Sequence, residues 1–464
     1  MRTAVARALG GCLVVLTLTS VLTACTGDDS GSGSTPQPST EPTDTPSQPV
    51  DLTFGVYGTT EEIAAYTRMA NHFDSVNDRA EVTVQHWRTH DGLRRAIDKG
   101  KPLPDVFLLP RRDLRWYTEN QLTRPVDTLL DERGVDFGDV YARDALEAFS
   151  SDNRLQCMPY GVAPQVIYYN EDLVDFDRMA ARGLDVPTDH RHWSWDQFLA
   201  ASSFASRPAR GTKGVSIAPT LGELAPFIYS GGGNLFDDNG DPTSLAFGSD
   251  ATQSALETML TLFRDPQQTL TEEQLAEQSA RESFERGQVA MIAGTRALVP
   301  ELRKVAGLRF DVMPIPSIEG QATAGEISGL CISQTAESPA TAADFLVYAT
   351  SSDAVTQVAR AGYLQPANQE VAFSDDFLQP TREPLSATVF NESVSRMVIP
   401  PLLDTWDELE TAVQPYLDQM FYADPALDLQ VLGEQIDLAS QPILNPEEPT
   451  ESPTETPSTE SPTP

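Results

Sequence analysis

Short segments of strand character alternate with helical segments at the start of the folded region. Residues 50–57 alternate apolar and polar side chains like a half-buried strand, and residues 61–77 place apolar side chains at helical spacing. A second strand at 81–86 precedes a helix that begins near Asp91, and residues 104–109 form an apolar run typical of a buried strand. Because strands that alternate with helices usually pair in parallel, the sequence predicts an α/β fold.

The alternation also predicts where a ligand binds. In a parallel sheet, the loops after the carboxyl ends of neighbouring strands lie together, and ligands bind in the crevice there. The loops that follow Tyr57 and Leu109 are therefore expected to form part of a ligand site.

The N-terminal residues have the features of a secretion signal. Residues 1–24 contain Arg2, Arg7 and an apolar run shorter than the roughly 18 residues that a membrane-spanning helix needs. The Leu-Thr-Ala-Cys motif that ends at Cys25 resembles the lipobox of bacterial lipoproteins, which implies that this cysteine carries two acyl chains. An ordinary cleaved signal followed by a cysteine is the alternative. The lipobox implies a protein anchored by lipid on the extracellular face of the cell membrane.

The two ends of the chain after the signal differ in composition from the middle. Residues 25–49 are rich in Ser, Thr, Pro and Gly, and residues 445–464 are rich in Pro, Thr, Ser and Glu. Such segments bury too little apolar surface to offset the entropy of ordering them, so a disordered tether and a disordered tail are expected. The intervening residues 50–444 suffice for two domains.

The net charge of the chain is −36. A protein this acidic is not expected to bind nucleic acid or an anionic membrane surface, so lipid is the expected contact with the membrane. Of the four cysteines, Cys12 lies in the signal and Cys25 in the lipobox, which leaves Cys157 and Cys331. In an oxidising compartment these two form either a disulfide or two buried thiols.

Five segments carry a specific resemblance to a known family. They are residues 158–173 with 195–198, residues 226–240, residues 284–294, residues 310–316, and residues 329–333 with 343–353. In sequence and in order they resemble the sugar-binding extracellular solute-binding proteins of family 1, the maltodextrin-binding type. The resemblance spans about residues 50–444.

The resemblance implies a two-lobed α/β fold of the periplasmic-binding-protein type, with hinge strands and a ligand cleft between the lobes. The first lobe would hold residues 50–158 and 330–366, and the second would hold 159–329 and 367–444. Cys157 and Cys331 would lie in neighbouring hinge strands and form a disulfide. The implied function is capture of a small polar solute, a carbohydrate, and its delivery to the permease subunits of an ABC importer. A monomer without cofactor or metal is expected.

The resemblance also indicates which residues contact the ligand, through polar groups that converge from both lobes and an aromatic platform. By position these residues are Thr59, Thr60, Arg111, Arg112, Ala163, Gln165, Thr220, Gly222, Arg296 and Trp406. Leu109, Ala163, Thr220 and Arg296 replace stacking or acidic residues of the maltodextrin pattern, so a long glucan is not expected. The three arginines favour a carboxylate or phosphate on the ligand, as in a sugar acid or a phosphopolyol, unless they are solvated rim residues.

Two other functions stay open at this stage. The same fold serves a surface sensor or co-receptor, and a secreted glycoside-acting enzyme needs only two carboxylates. The sequence has no His-Glu-x-x-His motif, no Gly-x-Ser-x-Gly elbow and no phosphate-binding loop. An enzyme is therefore not expected.

Overall fold

The computed structural model of the chain describes residues 49–135, 140–151, 153–423 and 427–446. The predicted signal, the lipidation site Cys25, the tether up to residue 48 and the tail from residue 447 lie outside these ranges.

The described residues form twelve strands, nineteen α-helices and three short 3₁₀ helices. The strands are β1 Val50–Tyr57, β2 Ala80–Trp87, β3 Val106–Pro110, β4 Thr123–Arg124, β5 Ser150–Ser151, β6 Arg154–Leu155, β7 Cys157–Pro164, β8 Val166–Asn170, β9 Met291–Gly294, β10 Phe310–Met313, β11 Thr323–Ser333 and β12 Met397–Val398.

The α-helices are α1 Thr60–Val76, α2 His90–Asp98, α3 Leu114–Glu119, α4 Asp127–Asp131, α5 Arg143–Ala148, α6 Phe176–Ala180, α7 Trp195–Ala205, α8 Leu221–Ser230, α9 Asp250–Phe263, α10 Glu272–Glu277, α11 Ala280–Glu285, α12 Val299–Leu302, α13 Pro339–Ala349, α14 Ser352–Ala359, α15 Gln369–Ala372, α16 Asp375–Leu378, α17 Thr388–Val394, α18 Trp406–Tyr422 and α19 Leu429–Leu444. The 3₁₀ helices are Arg111–Asp113, Pro208–Arg210 and Arg296–Leu298.

A seven-stranded sheet forms the first half of the molecule. β1 pairs in parallel with β2 and β3, as the strand and helix alternation predicts. β11 is antiparallel to β3 and β7, so the sheet is mixed. Because β1 and β3 are neighbours, the loops after Tyr57 and Pro110 start at the same edge of the sheet.

Helices cover this sheet and close a first hydrophobic core. α1 is capped by Thr59, whose hydroxyl accepts the Glu62 N–H, while the Glu62 carboxylate accepts the Thr59 N–H. Its apolar face buries Tyr66, Met69 and Phe73, and Phe345 packs edge-on against Phe73. The first core contains residues from two stretches of chain, Leu52 to Val162 and Ile327 to Val371.

The second half is built on a smaller sheet of three strands in the order β10, β8, β9. Both pairings are antiparallel, so the parallel pattern of the first strands does not extend to this half. Helices α7, α8, α9 and α18 pack their apolar residues into a separate core around Trp193, Phe198 and Phe227. A further cluster includes Tyr168, Phe310 and Phe390.

Two sheets with separate cores make this the two-lobed α/β fold that the sequence predicts. Gln165 alone separates β7 of the first sheet from β8 of the second. The chain returns from β10 to β11 and so crosses between the sheets again. The exact lobe boundaries stay a prediction. Among the described helices, none combines the length and the apolar character that a membrane span requires.

The crossing strands touch closely at one point. Gly325 pairs with Pro164, and a Cβ atom on Gly325 would lie 2.5 Å from the Ala163 carbonyl oxygen and 2.8 Å from Pro164 Cα. Since both of these are backbone atoms, a larger residue would push the strands apart. Glycine therefore permits the close approach of β7 and β11 where the chain passes from one sheet to the other.

Cys157 and Cys331 form a disulfide between β7 and β11. The two residues face each other in the strand register, and both are fully buried in the first core. The bond therefore lies at the ends of the two crossing strands that are farther from Gln165. It links positions separated by 174 residues in the sequence.

Replacing both cysteines by alanine is expected to lower the free energy of unfolding by about 2–5 kcal/mol, because a long loop in the unfolded chain loses its constraint. Urea unfolding of the wild type and of Cys157→Ala/Cys331→Ala measures the difference. A reductant should destabilise the wild type and leave the double variant unchanged. Free thiols at both positions in non-reducing peptide mapping would contradict the assignment.

Candidate functional site

A cavity of about 290 Å³ lies where the chain crosses between the two sheets. Its walls come from the connection between β7 and β8, the first turns of α8, the start of β11 and the first residue of α18. The lining residues are Arg112, Ala163, Gln165, Gly222, Ala225, Tyr229, Leu235, Thr295, Ala324, Gly325, Glu326, Val398, Pro400 and Trp406.

The cavity brings together five of the residues that the sequence points to. They come from distant parts of the chain and are Arg112, Ala163, Gln165, Gly222 and Trp406. Arg112 follows β3 of the first sheet, whereas Gly222 and Trp406 belong to helices of the second core. The cavity is therefore bounded by both halves of the molecule.

Gln165 is held in place by three hydrogen bonds. Its side-chain Nε2 donates to the Gly222 carbonyl at 2.7 Å and so joins the crossing to the first turn of α8. Its backbone N–H donates to Ala324 O at 2.9 Å, and its carbonyl accepts the Thr323 hydroxyl at 2.8 Å. The hydrogen bond to Gly222 orients the side-chain amide of Gln165 before any ligand enters the cavity.

Aromatic and aliphatic side chains form the apolar walls. Trp406 is half-buried, and its ring lies 6.3 Å from that of Phe236, nearly edge-on. Tyr229 is 8% exposed and lies on the same face of α8 as Gly222 and Ala225. Burial raises the pKa of the Tyr229 hydroxyl above its usual range, so this group stays a neutral hydrogen-bonding group.

One ion pair lies at the cavity. Arg112 Nη1 donates to Glu326 Oε1 at 3.2 Å, and the two side chains are 25% and 58% exposed. Burial lowers the pKa of the Arg112 guanidinium, but the carboxylates of Glu326, Asp113, Asp407 and Asp91 raise it, and the balance lies above its usual value. The guanidinium therefore stays charged and sits in acidic surroundings.

Thr59 and Thr60 line a different and larger groove of about 1160 Å³. One side of the groove comes from α1 and β2, and the other side includes Glu301 and Lys304 next to α12. Lys304 Nζ lies 3.0 Å from Glu61 Oε1 and 2.9 Å from Glu301 Oε1. The pair with Glu61 connects the first half of the molecule to the second across the groove, whereas the pair with Glu301 lies within the second half.

Thr220 caps a helix. Its hydroxyl accepts the Glu223 N–H at 3.3 Å and so satisfies one of the otherwise unpaired N–H groups in the first turn of α8. The same turn brings Gly222 to the cavity. Thr220 thus acts on the cavity through the position of α8, and the structure does not bring its side chain to the cavity wall.

Arg111 differs from its neighbour Arg112. Its guanidinium donates from Nε to Ala148 O at 2.9 Å and from Nη1 to Pro400 O. Burial lowers its pKa to about 10. Arg111 does not line the cavity, and its donors hold the segment around Pro400 against the first half of the molecule, so its contact with a ligand stays a prediction.

Arg296 also does not line the cavity, because it lies in the interior of the second half with 1% of its surface exposed, and its contact with a ligand stays a prediction. Nη2 donates to Phe377 O at 2.9 Å, and the guanidinium carbon lies 4.8 Å and 5.3 Å from the ring centres of Phe377 and Phe390. Burial lowers its pKa to about 10. The rings stabilise the cation in part, whereas its buried Nε and Nη1 have no hydrogen-bond partner among the described residues.

Several lining residues were missed from the sequence. Ala225 and Tyr229 lie three and seven residues after Gly222, and this helical spacing could have identified them. Glu326 pairs with Ala163 across β7 and β11, a register that no local pattern reveals. No described group of three or more His, Cys, Asp or Glu side chains is placed to hold a metal ion.

A family model described as bacterial extracellular solute-binding protein matches residues 69–382. No curated protein matches the sequence. The residues matched by the family model extend well beyond a single motif.

Solved structures with the same fold include three carbohydrate-binding proteins. An ABC substrate-binding protein from Listeria monocytogenes in complex with cycloalternan is 19% identical, with a TM-score of 0.71 over 84% of this chain and 97% of its own. The GacH receptor of Streptomyces glaucescens, solved unliganded and with acarbose, is 16% identical, with a TM-score of 0.69 over 85% and 98%. The maltotriose-binding protein of Thermus thermophilus is 15% identical, with a TM-score of 0.65 over 84% and 99%. At these identities the likeness concerns the fold.

The groove contains a carboxyl group that makes stability depend on pH. Burial raises the pKa of Glu62 from 4.5 to about 7, although the hydrogen bond from Thr59 opposes this rise. Between these pH values the folded protein binds more protons than the unfolded chain, so stability falls as pH rises and levels off above about 7. Glu62→Gln keeps an acceptor for the capping box and removes this contribution.

The free energy of unfolding of the wild type, measured relative to Glu62→Gln, is therefore expected to decrease from pH 4.5 to pH 7. Burial also raises the pKa of Glu223 to about 7 and that of Asp437 to about 6, so only the difference between the two proteins isolates Glu62. A difference that stays constant over this range would contradict the assignment.

Proposed function

The chain belongs to the bacterial extracellular solute-binding proteins, and on this basis we propose that it captures a carbohydrate outside the cell and delivers it to an ABC importer. The observation that carries the proposal is the cavity between the two halves, in which a fixed amide, an ion pair and aromatic walls converge. The solute is bound without chemical change.

The composition of the cavity suits a sugar. Hydroxyl groups can donate to Glu326 and accept from Arg112, and the apolar faces of a sugar ring can pack against Trp406 and Tyr229. The volume of about 290 Å³ is just below the roughly 300–1,000 Å³ usual for ligand pockets. A mono- or disaccharide fits this space better than a long glucan. The carbohydrates bound by proteins of the same fold support this class of ligand.

Binding is proposed to proceed by closure of two lobes around the solute. The lobes consist of residues 50–158 with 330–366 and residues 159–329 with 367–444. A solute that contacts both lobes binds the closed form better than the open form and so shifts the population toward closure. The crossing at Gln165 and the close approach at Gly325 are suited to such a hinge, because little chain separates the two sheets there.

The protein is proposed to act as a lipid-anchored monomer at the cell surface. Cys25 would carry the acyl chains, and residues 25–49 would form a tether that lets the folded region reach the permease subunits. Two acyl chains hold a protein stably at a membrane, whereas one gives only reversible attachment. The strong net negative charge supports lipid rather than charge as the means of attachment.

The ligand prediction is tested with variants of two tryptophans, Trp406 and Trp87. Trp406→Ala removes a wall of the cavity and is expected to weaken sugar binding at least tenfold, whereas Trp406→Phe, which keeps a ring, has a smaller effect. Trp87→Ala is the matched control, because Trp87 lines only the larger groove. Thermal shift followed by calorimetry over neutral sugars measures the binding.

A loss of affinity in Trp87→Ala but not in Trp406→Ala would move the ligand to the groove of Thr59 and Thr60. Absence of binding to every sugar would contradict the proposed function.

The anchor is tested at Cys25. Cys25→Ser is expected to release the protein from membranes into the medium, because a hydroxyl group cannot form the thioether to lipid. Cell fractionation and metabolic labelling with a fatty acid measure the effect. Cys12→Ser, which changes a cysteine within the predicted signal, serves as the control and should stay attached. An unlabelled wild type, or a Cys25→Ser variant that still fractionates with membranes, would exclude the anchor.

A further inference from the structure

The cavity contains one basic and one acidic side chain among its lining residues, Arg112 and Glu326. The other two arginines that the sequence places at the ligand do not line the cavity. Arg111 donates to two backbone carbonyls, and Arg296 is buried between aromatic rings. The charge of the cavity therefore depends on a single pair.

This pair leaves the cavity without net charge. The guanidinium and the carboxylate are in contact at 3.2 Å, so the guanidinium already has an anionic partner before a ligand enters. A ligand carboxylate or phosphate that accepts from the remaining N–H groups of Arg112 would lie next to Glu326. Glu326 would then remain charged next to the incoming anion, which is unfavourable.

The surroundings of the pair are also acidic. An adjoining cavity of about 280 Å³ shares Arg112 and Trp406 with the first one, and its lining has more acidic than basic side chains: Asp91, Asp98, Asp113, Asp404, Asp407 and Glu408 against Arg94, Arg95 and Arg112. Tyr57 lies at the same place: burial raises the pKa of its hydroxyl, and Glu326, Glu62 and Asp113 raise it further. An approaching anion therefore meets more carboxylates than arginines, and the arginine of the first cavity already has an anionic partner.

A neutral hydroxylated ligand avoids electrostatic repulsion both from Glu326 and from the surrounding carboxylates. A hydroxyl group donates one hydrogen bond and accepts another, so neighbouring hydroxyls on a sugar can bind Glu326 and Arg112 at the same time. Charge-assisted hydrogen bonds of this kind are stronger than those between neutral groups. The pair can therefore stay intact while it binds a neutral sugar.

We propose that Glu326 is a specificity-determining residue: by neutralising Arg112 it makes the cavity select uncharged sugars and exclude sugar acids and sugar phosphates. This inference rests on the proposed function and narrows its ligand class. It replaces the expectation of an anionic ligand that the three arginines suggested.

The experiment compares each neutral sugar with its acid. Glucose with glucuronate, galactose with galacturonate, and maltose with maltobionate are titrated by calorimetry into the purified full chain and into Glu326→Gln. Glu257→Gln, an exposed position on α9, removes the same charge away from the cavity and is the matched control. Circular dichroism and thermal unfolding verify that each variant is folded.

The wild type is expected to bind the neutral member of a pair at least tenfold more tightly than the acid. Glu326→Gln should leave Arg112 without its anionic partner and so increase the affinity for the acid. The ratio of the affinity for the neutral sugar to that for the acid should fall at least tenfold. Glu257→Gln should leave the preference unchanged, and Arg112→Gln/Glu326→Gln should lose the gain, because the unpaired cation is gone.

A wild type that binds an acid as tightly as its neutral partner would overturn the inference. So would a Glu326→Gln variant that binds sugars but keeps the preference of the wild type. In both cases sugars still bind, and the proposed function stands. Absence of binding by all six compounds to every protein would overturn the carbohydrate proposal and the inference together.

Discussion

The backbone pairing of β11 is the constraint on which the rest of the structure depends. This strand hydrogen-bonds to β3, β4 and β7 in antiparallel fashion and to β12 in parallel. Buried N–H and C=O groups must be paired, so partners on both sides hold the strand in one register. Its first residues reach the cavity at Glu326, and its last residues lie in the first core at Cys331. One strand thus connects the interior of the first half to the site.

Three arginines illustrate how the backbone assigns different roles to the same side chain. Arg111 and Arg112 follow each other after β3, yet one points to backbone carbonyls and the other lies at the cavity. Arg296 follows β9 in a 3₁₀ turn that directs it inward between two rings. A guanidinium is therefore not evidence of an anionic ligand until its partners are known.

The sequence predicts the fold better than it predicts the site. Strand and helix alternation identifies β1, β2 and β3 with their parallel order, because those signals are local. The family motifs identify both lobes, and with them Gln165, Gly222 and Trp406 at the cavity. Glu326 was missed because its place depends on the pairing of β7 with β11, residues far apart in the chain. The burial of Arg296 away from the cavity wall was not foreseen, because the direction of a side chain depends on packing that no local pattern contains.

The ion pairs of Lys304 with Glu61 and Glu301 are sensitive to the ionic strength of the solution. These side chains are between 24% and 56% exposed, so dissolved ions can screen them. The screening length falls from about 8 Å at 0.15 M ionic strength to about 3 Å at 1 M. Glu61 and Lys304 belong to opposite sides of the groove. Added salt therefore weakens the electrostatic attraction between these two sides. With the proposed closure of the lobes, the affinity for even an uncharged solute is then expected to depend on the ionic strength of the medium.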